Sequence, residues 1–261
     1  MPGPINVFEM FRLDGESAFI TGAGSGIGRV AALTLAEAGA RVAVTDLDLA
    51  SAESVAAEIR GSGGQAEASQ LDVADAGAIV AAIARVADAF HGLDILINNV
   101  GVSVQVPAEN FPTADWRRIV DTNLTGTFIA CREAGRVMLA GRGGRVINMA
   151  SIMGLGGGGL YPSPAYAASK GAIVNLTREL AAEWAARGIR VNAIAPGLVV
   201  TPMTEKLRGN EPLSKKILER TPAGRFAQAE EMAGGILYLA SRASSMVTGH
   251  ILVIDGGIMA I

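Results

Sequence analysis

The stretch SAFITGAGSGIGRVAALTLAEAGARVAVTD, residues 17–46, holds a predicted strand, turn, helix and second strand in direct succession. The short apolar run at 17–21 predicts a buried strand. The segment after it has the apolar spacing of a helix and ends at Gly39, a residue type that often follows the last helical turn. A second apolar run covers 41–46. Two strands joined through a helix predict a parallel pair.

The same alternation continues along the rest of the chain. Further strands are predicted at 65–73 (the weakest), 93–99, 144–151, 188–196 and 249–255, with helical patterns between them, including one long helix over 113–140. Short, continuously apolar strands separated by helices are typical of a parallel sheet covered on both faces. The sequence therefore predicts an α/β fold, in which residues 1–261 form a single-domain doubly wound parallel sheet (Rossmann fold) with helices on both faces.

The turn TGAGSGIG, residues 21–28, joins the first strand to the first helix. Glycine lets the backbone turn sharply and approach a pyrophosphate, and a helix N-terminus offers free N–H groups and the positive end of its dipole. Many glycine-rich turns are only tight turns, so the order strand, turn, helix carries the prediction of a dinucleotide site. Its predicted contacts are Gly22, Ser25, Gly26, Ile27 and Gly28.

Asp46 ends the second predicted strand, twenty residues after Gly26. At this position an acidic side chain reaches the ribose hydroxyls of the adenosine and repels the extra phosphate of NADP. Leu47 and Asp48 follow, so no arginine adjoins it. The sequence favours NAD as cofactor, although Asp46 is also consistent with a simple turn residue at a strand end.

Composition excludes several classes of protein. Half of the 261 residues are hydrophobic, yet we find no apolar run as long as a membrane helix, and residues 1–15 lack the pattern of a signal peptide. A net charge of −3 gives no sign of nucleic-acid binding. With one cysteine, Cys131, and two distant histidines, we expect no disulfide, no metal site and a cytoplasmic location.

The stretch YAASK, residues 166–170, places a tyrosine and a lysine four residues apart at the start of a long apolar helix. Positions i and i+4 share one helix face, and a neighbouring cation stabilises a phenolate. By itself the pair is equally consistent with two surface side chains.

From about residue 13 to 257 the chain resembles the short-chain dehydrogenase/reductase family. Each matching stretch is loose alone, but all occur in order: TGAGSGIG (21–28), LDV (71–73), NNVG (98–101), DTNLTGTF with Asn123, NMAS ending at Ser151, YAASK (166–170), PGLVVT (196–201) and VTGHILVIDGG (247–257). The resemblance implies an oxidoreductase that transfers a hydride between NAD(H) and a secondary alcohol or ketone.

The resemblance also implies a catalytic tetrad of Asn123, Ser151, Tyr166 and Lys170. Tyr166 would be the general acid and base, with its pKa lowered by the Lys170 ammonium and the oxidised nicotinamide. Ser151 would polarise the substrate oxygen, and Lys170 would also hold the nicotinamide ribose. Asn123 would use main-chain groups to hold a proton-relaying water.

Further cofactor contacts carry over from the family pattern. Asp72 and Val73 would flank the adenine, and Asn99 and Gly101 would border the adenosine side of the groove. Val199, through its main chain, and Thr201 would contact the nicotinamide amide. Val73 and Val199 are equally consistent with core packing.

Two segments make the substrate side hard to predict. Four glycines, 156–159, lie in a long connection between Ser151 and Tyr166, and residues 198–228 form an irregular, charged stretch expected to act as a substrate lid. Candidate pocket residues are Val102, Ile152, Met153, Leu198 and the lid. A small-molecule alcohol or ketone is expected, and a polyol or sugar acid, a 3-oxoacyl thioester and a steroid-like alcohol all remain open.

The family pattern also implies a homotetramer, with interfaces formed by the helices that begin near Thr113 and Pro164 and by the C-terminal DGGIMAI. Two other functions compete with a dehydrogenase. One is a non-catalytic dinucleotide sensor or scaffold on the same fold. The other is a dehydratase or epimerase, which the lack of a sizeable C-terminal substrate domain disfavours.

Overall fold

The computed structural model describes residues 6–156 and 159–261. Two parts of the chain lie outside the described residues. They are residues 1–5, within the segment predicted to lack a signal peptide, and Gly157 and Gly158 of the glycine run. The sheet consists of β1 Ser17–Thr21, β2 Arg41–Asp46, β3 Gln65–Gln70, β4 Ile95–Asn98, β5 Gly144–Met149, β6 Ile189–Pro196 and β7 Ile251–Ile254.

All neighbouring strands are parallel, and their spatial order is β3-β2-β1-β4-β5-β6-β7. The strand order reverses between β1 and β4, where Thr21 pairs with Asn98. Ligands of open α/β sheets bind in the crevice beyond the carboxyl ends of the strands at such a switch point. The sheet therefore brings the glycine turn, the end of β2 and the segment after β4 to one edge.

Helices cover both faces of the sheet. They are α1 Gly26–Glu37, α2 Leu49–Gly61, α3 Ala76–Phe90, α4 Thr113–Val120, α5 Gly126–Ala140, α6 Pro164–Trp184, α7 Glu205–Arg208, α8 Glu211–Glu219 and α9 Ala233–Ala240. Within β1, Ile20 packs in the core layer under α1, α2 and α9, whereas its neighbour Phe19 packs in the layer under α3, α5 and α6. Alternate side chains of one strand thus serve two cores, which confirms the doubly wound sheet.

Two elements differ from the sequence-based expectation. The single long helix predicted over 113–140 is interrupted by a π-helical turn, Asp121–Thr125, between α4 and α5. Residues 198–228, expected to be irregular, contain α7 and α8. The sequence holds only a weak helical pattern for α8, namely the single apolar pair Leu213 and Ile217. The helix begins at a cap, where the Asn210 side chain accepts a hydrogen bond from the Leu213 N–H. None of the described helices is both long and apolar enough to cross a membrane.

Candidate active site

The glycine turn is tightly built around the start of α1. Gly26 has a φ of +52°, and a Cβ placed on it would lie 3.1 Å from the Thr201 side chain. A Cβ on Gly28 would overlap the carbonyl oxygen of Gly22. Ser25 stands at the N-cap but makes no side-chain capping hydrogen bond, which leaves the first helical turn open to an anion. This cradle, which a Cβ would fill, suits the pyrophosphate of a dinucleotide.

Asp46 lies directly beside this turn. Its Oδ2 accepts a hydrogen bond from the Gly24 N–H at 2.9 Å, and its Oδ1 accepts one from the Asp48 N–H at 3.1 Å. Asp48 itself caps α2 by accepting from the Ala50 N–H. Backbone groups therefore fix the Asp46 carboxylate at the end of β2, next to the place where the adenosine ribose of a dinucleotide would lie.

Asn99 and Gly101 follow β4 at the opposite side of the crevice. The Asn99 side-chain amide donates to the Gly22 carbonyl at 2.9 Å, so this side chain braces the glycine turn. A Cβ on Gly101 would lie 3.3 Å from Nζ of Lys170, which places this glycine directly against the ammonium.

The LDV stretch ends close to the helix that carries Asn123. Asp72 is exposed, and its carboxylate accepts a hydrogen bond from the Ala74 N–H at 2.8 Å. Val73 is buried, and its carbonyl oxygen would be overlapped by a Cβ on Gly126. The Val73 side chain packs in the core, which agrees with the structural alternative left open by the sequence.

Val199 and Thr201 lie at the start of the predicted lid. The Val199 side chain is buried in the core, and its carbonyl accepts from the Thr204 hydroxyl at 2.6 Å. The Thr201 side chain faces the glycine turn, 3.1 Å from the place where a Cβ on Gly26 would lie, and Thr201 forms a reciprocal capping arrangement with Thr204. Of the two, Thr201 has the side chain that borders the crevice.

Ser151, Tyr166 and Lys170 come together at the carboxyl end of β5 and the first turns of α6. The Ser151 hydroxyl accepts a hydrogen bond from the Met153 N–H at 3.2 Å. Nζ of Lys170 is buried, lies 5.7 Å from the centroid of the Tyr166 ring and donates to the Met149 carbonyl at 2.6 Å. The tyrosine and the lysine therefore share one helix face, and both adjoin the serine-bearing loop.

The electrostatics of this group differ from the expectation. Burial raises the pKa of Tyr166 above its ordinary value, and a hydrogen bond with Ser151 only partly opposes this. Burial also lowers the pKa of Lys170 to about 8. The lowered phenol pKa expected from Lys170 is thus not produced by the protein's own side chains, because desolvation of the phenolate outweighs the hydrogen bond with Ser151.

Asn123 lies in the π-helical turn and is completely buried. Its Oδ1 accepts from the Val102 N–H at 2.8 Å, and its Nδ2 donates to the Val102 carbonyl at 3.0 Å and to the Ser169 hydroxyl at 3.0 Å. The Asn123 side chain therefore ties the loop after β4 to α6, whereas the sequence-based expectation concerned only its main chain.

Several residues of this network were not predicted from the sequence. The Ser169 hydroxyl donates to the Tyr166 carbonyl at 2.8 Å, so it joins Asn123 to α6. Ser163 and Ser103 share a hydrogen bond of 2.9 Å between the start of α6 and the loop after β4. The position of Ser169 between Tyr166 and Lys170 in YAASK was the available signal, but its partners lie far away in the sequence.

A cavity of about 490 Å³ opens between α6 and the predicted lid, and on α6 it is lined by Ala167, the residue that follows Tyr166. Its lining residues are Ala108, Met153, Gly159, Leu160, Tyr161, Pro162, Ser163, Pro164, Ala167 and Lys216. Of the candidate pocket residues, Met153 and the lid contribute to it. Val102 and Ile152 do not line it, and Leu198 lines a smaller, separate cavity of about 80 Å³.

Comparisons with known proteins find relatives along almost the whole chain. Residues 22–259 match a family model described as enoyl-(acyl carrier protein) reductase. D-threitol dehydrogenase of Mycolicibacterium smegmatis is 42% identical over 247 residues, which cover 95% of this chain and 94% of that protein.

Two solved structures are similar over almost their whole length. A short-chain type dehydrogenase/reductase from Mycobacterium marinum has a TM-score of 0.94 at 38% identity, covering 98% of this chain and 100% of the other. A gluconate 5-dehydrogenase from Burkholderia cenocepacia J2315, in complex with NADP and tartrate, has a TM-score of 0.94 at 36% identity, with the same two coverages. The chain belongs to the short-chain dehydrogenase/reductase family and is an oxidoreductase that uses NAD or NADP on alcohols and ketones.

Proposed function

We propose that the protein is an NAD-dependent dehydrogenase of polyols or sugar acids in which Tyr166 is the general acid and base. The observation that carries the proposal is the convergence of Ser151, Tyr166 and Lys170 at the sheet edge that also holds the glycine turn. The names of the similar proteins, one acting on a polyol and one on a sugar acid, support the substrate class.

NAD, when bound in the crevice, would supply the hydride acceptor and a positively charged nicotinamide ring. The Ser151 hydroxyl holds the substrate oxygen, and Tyr166 Oη removes its proton. Burial raises the pKa of Tyr166 in the protein alone, and a positively charged group near the phenol would lower it again. Lys170 adds a second positive charge below Gly101, where the nicotinamide ribose would lie.

The preference for NAD over NADP rests on Asp46. Its carboxylate is fixed beside the Gly24 N–H, and Leu47 and Asp48 next to it offer no positive charge to a 2′-phosphate. A similar structure contains NADP, so acceptance of NADP by this chain is an alternative that the cofactor comparison in the Discussion distinguishes.

We also propose a homotetramer and a cytoplasmic location. Large apolar side chains are exposed on the elements expected to form interfaces, among them Trp116 on α4, Phe128 on α5 and Ile261 at the C-terminus. The only cysteine, Cys131, is buried with its pKa raised by burial to about 12, which suits a protein that makes no use of thiol chemistry.

The decisive experiment follows NADH formation with a panel of polyols and sugar acids and compares the wild type with Tyr166→Phe. Loss of a general acid and base lowers kcat by roughly 10²- to 10⁴-fold. NAD affinity, measured by fluorescence titration, should change little and serves as the folding control. Undiminished turnover by Tyr166→Phe would remove the assigned role.

A further inference from the structure

The cavity beside Tyr166 has one charged side chain among its described lining residues, Lys216. Most of the wall is apolar, formed by side chains such as Met153, Leu160 and Pro164. The volume of about 490 Å³ lies in the range typical of small-molecule sites. In such a site the few polar groups fix the orientation of the ligand and its specificity.

The cavity is connected to the proposed catalytic group through Tyr161. Tyr161 and Tyr166 pack in the same apolar cluster, and the Tyr166 phenol acts electrostatically on Tyr161. Burial raises the pKa of Tyr161 to about 12, so this phenol stays neutral and protonated at working pH. Tyr161 therefore gives the cavity wall a hydrogen-bond donor and no negative charge.

Lys216 is held at the cavity by the packing of α8. The next residue, Ile217, is completely buried in a cluster with Ile152, Met153, Leu160 and Leu207, and Leu213 packs against the same cluster. These two apolar residues fix the rotation of α8 about its axis. Lys216 makes no ion pair with any described residue, so its ammonium is available to a ligand.

From this arrangement we propose that Lys216 is a specificity-determining residue that binds a carboxylate at the far end of the substrate. The hydroxyl to be oxidised lies at Tyr166 and Ser151, the carbon chain fills the cavity, and the carboxylate lies at the ammonium of Lys216. The inference deepens the proposed function, on which it rests. It selects hydroxy acids, sugar acids included, over neutral polyols and over steroid-like alcohols.

The test uses two pairs of substrates that differ only by a carboxylate in place of a CH₂OH group: D-gluconate with D-glucitol, and 4-hydroxypentanoate with pentane-1,4-diol. Lys216→Met should lower kcat/KM for the acids by about three- to tenfold, as expected for a partly exposed charge-assisted contact, and leave the neutral partners unchanged. Lys216→Arg should keep most of the preference, and Lys216→Glu should reverse it.

The matched control is Lys215→Met, which removes the same charge from the neighbouring, exposed position that does not line the cavity. The acid preference should survive in this variant. A general effect of surface charge would instead lower it equally in both variants. Raising the salt concentration should weaken the preference of the wild type, because screening reduces the attraction.

A second readout does not depend on turnover. In the presence of saturating NAD, pentanoate should raise the melting temperature of the wild type more than pentan-1-ol does, and Lys216→Met should abolish that difference. If neutral and acidic substrates react alike and Lys216→Met changes neither readout, this inference is overturned while the proposed function stands. If no alcohol reacts but pentanoate still stabilises the protein through Lys216, the proposed function fails and the anion site remains.

Discussion

Lys170 is a buried cation whose surroundings disfavour its charge. Because burial lowers its pKa from 10.5 to about 8, the unfolded chain binds more protons than the folded one between these two values. The buried ammonium of Lys170 therefore lowers the free energy of unfolding by its full amount below pH 8. This destabilisation shrinks as the pH rises from 8 to 10.5 and is absent above 10.5. A shift of this size corresponds to about 3 kcal/mol.

The resulting prediction concerns Lys170→Met. The free energy of unfolding of the wild type, relative to this variant, should rise by about 2–3 kcal/mol between pH 7.5 and 10.5. Urea unfolding at a series of pH values measures it. Lys215→Met, at an exposed position, should follow the pH dependence of the wild type; a difference between wild type and Lys170→Met that stays constant with pH would contradict the buried-ammonium account.

The proposed preference for NAD depends, at the same scale, on Asp46. Asp46→Ala should lower kcat/KM with NAD and raise it with NADP, so that the ratio of the two values changes by about tenfold or more. The substitution removes a carboxylate that is proposed to bind the ribose hydroxyls of NAD and to repel the extra phosphate of NADP. Initial rates with both cofactors measure the ratio.

Asp48→Ala is the matched control for this substitution, because it removes the cap of α2 and leaves the carboxylate beside the glycine turn in place. That variant should lose about 1 kcal/mol of stability with no change of cofactor ratio. An unaltered preference in Asp46→Ala would refute the assignment.

At the scale of elements, α5 packs closely against the LDV stretch at Gly126, the residue that follows the π-helical turn. A side chain there would overlap the Val73 carbonyl oxygen, so Gly126→Ala should destabilise the protein by about 1–3 kcal/mol. Gly234→Ala, on the exposed side of α9 with no atom within 4 Å of the added methyl group, should be neutral or stabilise by up to about 1 kcal/mol. Thermal unfolding of both variants gives the comparison, and equal effects would count against tight packing at Gly126.

Asn123 shows why some elements of the site could not be predicted from the sequence. Apolar periodicity is local and correctly predicted all seven strands and most helices. The partners of the Asn123 side chain, Val102 and Ser169, are 21 and 46 residues away, and only the folded sheet brings them together. The π-helical turn likewise leaves no apolar pattern of its own, because it inserts a single wider turn into an otherwise regular helix.

At the scale of the molecule, the glycine turn, Asp46 and the four residues of the tetrad could be singled out because each belongs to a motif of the family that the chain resembles, and their roles stay predictions. The substrate-binding side of the site could not be identified in this way. The cavity is formed by residues from three distant segments. Among its described lining residues the one cation is Lys216, which lies in a stretch whose charged composition hides the pattern of α8. The raised pKa of Tyr166 was also missed, since burial cannot be read from the residue types of YAASK.

The proposed tetramer gives the prediction for the whole molecule. Light scattering at micromolar concentration should give about four times the chain mass of 26.7 kDa. Phe128→Glu, on the exposed face of α5, should reduce this to a dimer or monomer, because a buried unpaired charge is strongly unfavourable in an interface. Val80→Glu alters an equally exposed apolar residue on α3 and should leave the mass unchanged. A monomeric wild type would contradict the assembly.

The segment predicted to act as a substrate lid, residues 198–228, begins and ends at one point of the fold. Val199 and Ala227 form an isolated parallel bridge, with the Val200 N–H donating to the Ala227 carbonyl and the Ala227 N–H donating to the Leu198 carbonyl. Because this bridge fixes the two points where the segment leaves the fold and returns to it, the segment between them can be lengthened, shortened or exchanged at little entropic cost to the sheet. Residues 201–226 can therefore vary between relatives while the sheet is kept. Replacing them with the corresponding segment of a relative should transfer that relative's substrate preference without changes to the rest of the protein.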